Sequence, residues 1–242
     1  MNGISQYLSA VLQDWQTSQD TFPCNTRPRN QWPIPFFGNP RRAVVATVGV
    51  NPSSGEFRAS RNWNTVQTPA DWKRRLKEYF KHDTPAHEWF EPWRAGLELL
   101  GASYKAGTAA HLDVSYRSTT AMLRNEDTDH VEFRRMVEQD VTWFFRLLPL
   151  CEHLRVLLTF GPIVRADGST ESLAAFLRAQ AARHGFTVLP DGGLHVAASD
   201  ETGRSFFVHE VRASGHGVLA EQVVENLREH RDTLSGHIEA GA

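Results

Sequence analysis

Apolar positions along the chain follow two rhythms, one helical and one extended. Ile4, Leu8, Val11, Leu12 and Trp15 recur at helical spacing, and residues 22–40, with five prolines, read as an extended arm that follows this helix. Residues 43–50 form a β-rich, mostly apolar run with Thr47 its one polar side chain, the signature of a strand buried on both faces. Thr68-Pro69 with Asp71 three residues after the threonine predicts a capped helix to about residue 81, and a second helix follows over about 85–100, closed by Gly101. Residues 109–116 read as a short strand. Asp129 and Glu132 cap a long helix to about residue 148, with Val131, Phe133, Val137, Val141, Phe144, Phe145 and Leu148 as its expected buried stripe. A buried strand over 154–160 stops at Gly161-Pro162. A helix over about 169–184 then leads to strands at 186–189, 194–198 and 205–211 and a final helix over about 217–230.

Strands alternating with helices, several of them continuous apolar runs, predict an α/β protein: a three-layer α/β/α sandwich around a central, mostly parallel sheet. No repeat, low-complexity tract or linker divides the 242 residues, so one domain spanning 1–242 is expected, with residues 1–42 as an N-terminal helix and proline-rich arm docked on it. A hydrophobic fraction of 40% is enough to build a substantial core. Two cysteines, Cys24 and Cys151, far apart and outside any metal-binding spacing, indicate neither a disulfide framework nor a metal site. No signal peptide or membrane-length apolar run is evident, so the expected location is cytoplasmic, with no membrane and no obligate protein partner. A formal net charge of −2 neither attracts nor forbids nucleic acid. Arginines 27, 29, 41, 42, 58 and 61 nevertheless gather around the first strand and its loop.

The chain lacks the glycine-rich turns of dinucleotide and nucleoside-triphosphate sites and the Gly-x-Ser-x-Gly elbow of hydrolases. No cofactor or metal is expected. Three polar clusters stand at strand ends instead: Asn51-Pro52-Ser53, His111-Leu112-Asp113 and Arg212-Ala213-Ser214-Gly215-His216-Gly217. In a parallel sheet such ends converge on one edge, where ligands bind.

In that order, Gly49-Val50-Asn51-Pro52-Ser53, His111-Leu112-Asp113-Val114 and Arg212-Ala213-Ser214-Gly215 resemble the three motifs of the uracil-DNA glycosylase superfamily over residues 40–232. The first is closest to the Gly-x-Asn-Pro-Gly motif of its mismatch-specific and single-strand-selective branches. The resemblance implies a monofunctional glycosylase acting on DNA, single- or double-stranded. Asn51 would hold the water that attacks C1′ of the sugar, and Pro52 and Ser53 would shape the pocket. Phe57 would stack on the extruded base. Asp113 would stand at the base-reading position, and Arg212 at the position that stabilises the leaving base. Ser214, Gly215 and His216 would enter the gap in the duplex, with Arg58 and Arg61 on the backbone. Each also has a plain structural reading: Asn51-Pro52 as a turn initiator, Phe57 as core, His111 as a satisfied strand-end histidine and Ser214-Gly215 as a helix cap.

Two departures from the family pattern carry consequences. Uracil-specific members have Asn where this chain has Asp113. A carboxylate only accepts hydrogen bonds, which suits the exocyclic amine of cytosine and opposes O4 of uracil. Excising plain cytosine would damage the host's own genome, so the expected substrate is a modified cytosine, such as a hydroxymethylated or glucosylated base of phage DNA, in a defence role. Uracil-excising repair is the alternative, followed by an N-ribosyl hydrolase acting on free nucleosides or nucleotides, or a module that binds modified DNA without cutting it. Arg212 replaces the usual His; its guanidinium suits either the anionic leaving base or a flanking phosphate.

Overall fold

A computed structural model describes residues 3–18, 32–57, 63–81, 87–119, 129–196, 204–211 and 220–240. The elements in chain order are α1 (Gly3–Thr17), β1 (Phe36–Phe37), β2 (Val45–Gly49), α2 (Pro69–Glu78), α3 (Glu91–Leu99), β3 (Ala109–Asp113) and α4 (His130–Leu147). After these come β4 (Val156–Phe160), β5 (Pro162–Val164), β6 (Thr170–Ser172), α5 (Leu173–Ala181), β7 (Phe186–Val188), β8 (Leu194–Val196), β9 (Ser205–Val211), α6 (Ala220–Glu229) and α7 (Arg231–Glu239).

The seven-stranded sheet has the order β1-β3-β2-β4-β9-β8-β7. Its centre, β3-β2-β4-β9, is parallel throughout, and the short strands β1, β7 and β8 close the edges antiparallel. Register places His111, Thr47, Leu158 and His209 in one row across the four parallel strands. Because strand side chains alternate, this row looks onto a single face. His209 bonds Asn226 of α6 at 2.8 Å, and the His111 ring meets Trp89, just ahead of α3, at 4.7 Å. Helices α3, α6 and α7 therefore cover this face, while α4 and α5 cover the other, with α1 laid on α4. The α/β/α layering read from the sequence is the layering found.

Sequence logic is visible at the caps. Thr68 Oγ1 accepts from Asp71 N at 3.1 Å, and Asp129 accepts from Glu132 N at 3.0 Å, as the capping patterns predict. Gly96 on α3 lets α6 approach so closely that a Cβ there would lie 2.7 Å from Leu227 and Val223. Within the described residues no helix is long and apolar enough to cross a membrane.

Four expectations are corrected. The segment read as a helix from 169 starts as a hairpin, β5-β6, turning at Asp167-Gly168, where Ser169 N donates to the Asp167 carboxylate at 2.9 Å and Gly168 takes φ 81°. Ser172 then caps α5. The helix read as final, to about 230, is not the last: α6 ends at Glu229 as expected and α7 follows His230; the start expected at 217 lies outside the described residues. Val131, assigned to a buried stripe, is 55% exposed, because it sits in the first turn of α4, ahead of the part that meets the sheet. Strand β3 stops at Asp113, yet its continuation stays pinned. Val114 N donates to Gly49 O at 3.0 Å and Ser115 N to Val50 O at 2.8 Å, while Ile34 N donates to Tyr116 O at 2.8 Å.

Candidate functional site

A cavity of about 210 Å³ opens at the carboxyl ends of β2, β3 and β4, where α/β sheets bind ligands. Asn51, Pro52, Ser53 and Asp113 all line it, so two of the three clusters read from the sequence meet there. Arg212, Ser214, Gly215 and His216 of the third cluster, and Arg58 and Arg61, lie outside the described residues.

Asn51 is held by the chain that continues β3. Its Nδ2 donates to Arg117 O at 3.1 Å and to Thr119 Oγ1 at 3.4 Å. Spending the amine this way orients the amide and leaves Oδ1, with no hydrogen bond among the described residues, as the atom that accepts. The brace is itself buried. Arg117 and Asp140 of α4 form an ion pair with no exposed side-chain surface, Nε reaching Oδ2 at 3.0 Å. Ser115 Oγ donates to Asp140 at 2.6 Å and accepts from Arg117 N at 3.2 Å, and Arg117 Nη2 reaches Ser18 Oγ at 2.7 Å. Tyr116 joins the network through Arg117 and Asp14. Burial pushes the Asp140 carboxyl up to about 6 despite the arginine beside it. The carbonyl that holds Asn51 is thus fixed from the opposite face of the sheet.

Asp113 ends a second network. Its Oδ1 lies 3.3 Å from His111 Nε2, His111 Nδ1 lies 2.9 Å from Thr47 Oγ1, and Thr47 Oγ1 lies 2.6 Å from Tyr104 Oη. Tyr104 has Thr47 as its hydrogen-bond partner among the described residues, and burial holds its phenol protonated by raising its pKa. A buried hydroxyl wasting its proton is costly, so Tyr104 donates to Thr47 and Thr47 to Nδ1; the ring proton then sits on Nε2 and points at Asp113. Asp113 is 3% exposed, and its Oδ2 is buried with no hydrogen-bond partner among the described residues. Burial raises its pKa, and His111 opposes that rise. Gly49, directly across from Asp113 in the β2-β3 register, makes the pair possible: a Cβ there would lie 3.1 Å from both Asp113 Oδ1 and His111 Cε1.

Phe37, Trp89 and Phe90 supply aromatic walls. Phe57, expected to stack on a base, is absent from the lining; it packs 5.8 Å from Trp63 and against the core. The turn of 3-10 helix at Ser54–Phe57 directs Glu56 to the cavity in its place. Sequence reading missed Glu56, which is 2% exposed and accepts from Tyr79 Oη at 2.7 and 2.8 Å. It also missed His87, whose Nδ1 caps the following turn by accepting from Trp89 N at 3.1 Å, so that the neutral ring carries its proton on Nε2. A Gly-Glu-Phe after the first motif and a His-Glu-Trp ahead of α3 were the available signals, but neither spacing says which side chain turns inward.

A larger cavity, about 330 Å³, lies at the opposite ends of β4 and β9, beside Arg155, Arg204 and His237. It contains no buried unpartnered polar atom among the described residues and none of the sequence motifs. No set of three His, Cys, Asp or Glu side chains among the described residues could hold a metal ion. A scan against models of known protein families matches none, and no curated protein matches the sequence.

The arrangement combines an amide oxygen for holding water, a buried carboxylate oxygen waiting for a donor, and flat apolar walls. Its volume, below the roughly 300–1,000 Å³ of pockets for drug-sized ligands, suits a single heterocyclic ring.

Proposed function

We propose that the protein is a monofunctional DNA glycosylase that hydrolyses the N-glycosidic bond of a flipped pyrimidine, a modified cytosine such as those of phage DNA, and leaves an abasic site. One observation carries the reading: Asn51, its amide oriented with Oδ1 left to accept, and Asp113, its Oδ2 buried without a partner among the described residues, line one ring-sized aromatic cavity at the carboxyl edge of the sheet. Flipping costs a few kcal/mol, which stacking on Trp89, Phe90 or Phe37 offsets. Asp113 accepts from the exocyclic amine. A water accepted by Asn51 Oδ1 adds to C1′ as the C1′–N bond breaks. The bond electrons leave with the base, and the proton shed by the water neutralises that base in solution. An amide is a feeble base, so the rate comes from placement and from stabilising the departing anion. Arg212, which the resemblance puts at the leaving base, supplies that charge.

The test exposes DNA carrying uracil, cytosine, 5-hydroxymethylcytosine or its glucosylated form, and separately the free nucleotides, to the purified protein, and identifies released bases and abasic sites. Release of a cytosine derivative from DNA, abolished by Asn51→Ala in a folded protein, is the expected result. Release from nucleotides but not DNA, or tight binding with no abasic product, would overturn it.

A further inference from the structure

The two oxygens of Asp113 are not equivalent. Oδ1 receives the Nε2 proton of His111, at 3.3 Å, in a chain that runs back through Thr47 to Tyr104. Oδ2 faces no such donor, although it is buried beside the cavity. A proton taken up by this carboxyl is repelled from the oxygen already facing N–H and settles on Oδ2, the atom left for a ligand.

We propose that Asp113 reads the base in two states: ionised, Oδ2 accepts from an exocyclic amine, and protonated, the same oxygen donates to a ring carbonyl, so that amino and keto pyrimidines are both bound and acidity sorts them. This rests on the glycosylase reading and widens its substrate class. One buried site thereby meets the requirements of cytosine-type N4 and uracil-type O4, which opposite hydrogen-bond polarities otherwise separate. A carboxylic acid kept neutral by an apolar site so that it can donate is established protein chemistry, and burial acts on Asp113 in that direction. Among the described residues the other titratable groups on the cavity are His111 on β3, Glu56 after the Asn51 turn and His87 ahead of α3. Both carboxylate oxygens of Glu56 accept from Tyr79, and His87 Nδ1 caps its own turn, whereas Asp113 keeps a buried oxygen with no partner among the described residues.

Equilibrium binding tests the idea without depending on turnover. Oligonucleotides carrying 2′-fluoro-deoxycytidine or 2′-fluoro-deoxyuridine, whose glycosidic bonds resist cleavage, are titrated with the full-length protein from about pH 5 to 8. The cytosine-to-uracil affinity ratio is expected to rise about tenfold per pH unit, as the ratio of ionised to protonated Asp113 does. In Asp113→Asn, whose amide can present only its donor once His111 holds the oxygen, the ratio is expected to be independent of pH and shifted toward uracil. A flat ratio in the unaltered protein overturns the two-state reader even where bases are released from DNA, and then the glycosylase reading stands alone. If no base is released from any DNA and neither oligonucleotide binds better than the same oligonucleotide with adenine at that position, both fall together.

Discussion

Replacing Asn51 by Asp separates two accounts of the first motif. If the residue acted through basicity, a carboxylate would be the stronger base and the variant would be faster. The structure predicts the reverse. Asn51 Nδ2 donates to Arg117 O at 3.1 Å and to Thr119 Oγ1 at 3.4 Å. A carboxylate oxygen in that place faces a carbonyl oxygen it cannot bond. Thr119 can turn its hydroxyl to donate, but the Arg117 carbonyl cannot adapt, because Ser115 and Asp140 fix its residue from behind. One stranded buried acceptor costs about 1–3 kcal/mol. For a chain of this size that is a fall in Tm of about 2–4 °C per kcal/mol. Where the turn shifts to relieve the contact, the same energy appears as a roughly 5- to 150-fold loss in the cleavage step. Asn51→Ala loses the water holder altogether but adds no repulsion, so it should abolish base release while being less destabilised than Asn51→Asp. Single-turnover base release on DNA, alongside thermal unfolding of both variants, measures the two effects. An Asn51→Asp protein as stable as the parent and equally fast or faster would refute the bracing argument.

Other expectations follow from the same geometry. Asp140→Asn takes away one of the two carboxylates beside the buried Arg117, leaving the partly exposed Asp14 at 3.5 Å, and turns an amide toward its guanidinium; the brace on Asn51 should loosen, giving slower single-turnover base release with little change in DNA affinity. Because burial raises the Asp140 pKa to about 6 from 3.8, the folded state holds this proton more tightly than the unfolded one. Its contribution therefore favours folding below the unfolded value and is lost as pH rises through about 6, a slope that unfolding measured at several pH values should show in the parent and not in Asp140→Asn. Gly49→Ala should displace His111 and Asp113 and impair base release more than folding, since the added methyl meets side chains at 3.1 Å and no positive φ is involved. Arg212→Ala distinguishes its two suggested roles: a phosphate contact would make the salt dependence of DNA binding shallower, whereas a leaving-group contact would slow cleavage at unchanged salt dependence.

The layered α/β architecture was legible in the sequence because it rests on local rules. A mostly apolar, β-branched run as short as residues 43–50 reads as a strand buried on both faces, and Thr68 with Asp71, or Asp129 with Glu132, reads as a helix start. The order of polar strand ends likewise placed Asn51, Pro52, Ser53 and Asp113 on one edge, and the structure brings these four to one cavity. What spacing did not contain was which way a side chain in irregular backbone turns. Phe57 and Glu56 are neighbours, and the 3-10 turn sends the apolar one to Trp63 and the charged one to the cavity, a choice made by Tyr79 on a separate element. The hairpin at Asp167-Gly168 hid inside a helical composition for the same reason.

Tertiary structure alone decided how the site residues are held. Sequence placed Asn51 at a strand end, but Arg117 O, the acceptor that orients it, is 66 residues away and anchored by Asp140 on α4. Asp113 was visible as a carboxylate; that one of its oxygens is taken by His111 and the other left buried without a partner follows only from packing β3 beside β2, with Gly49 providing the space. Local rules set where elements begin and end, because capping and burial patterns act over a few residues. Hydrogen-bond polarity in the cavity is set by groups far apart in the chain, and their meeting is a property of the folded sheet.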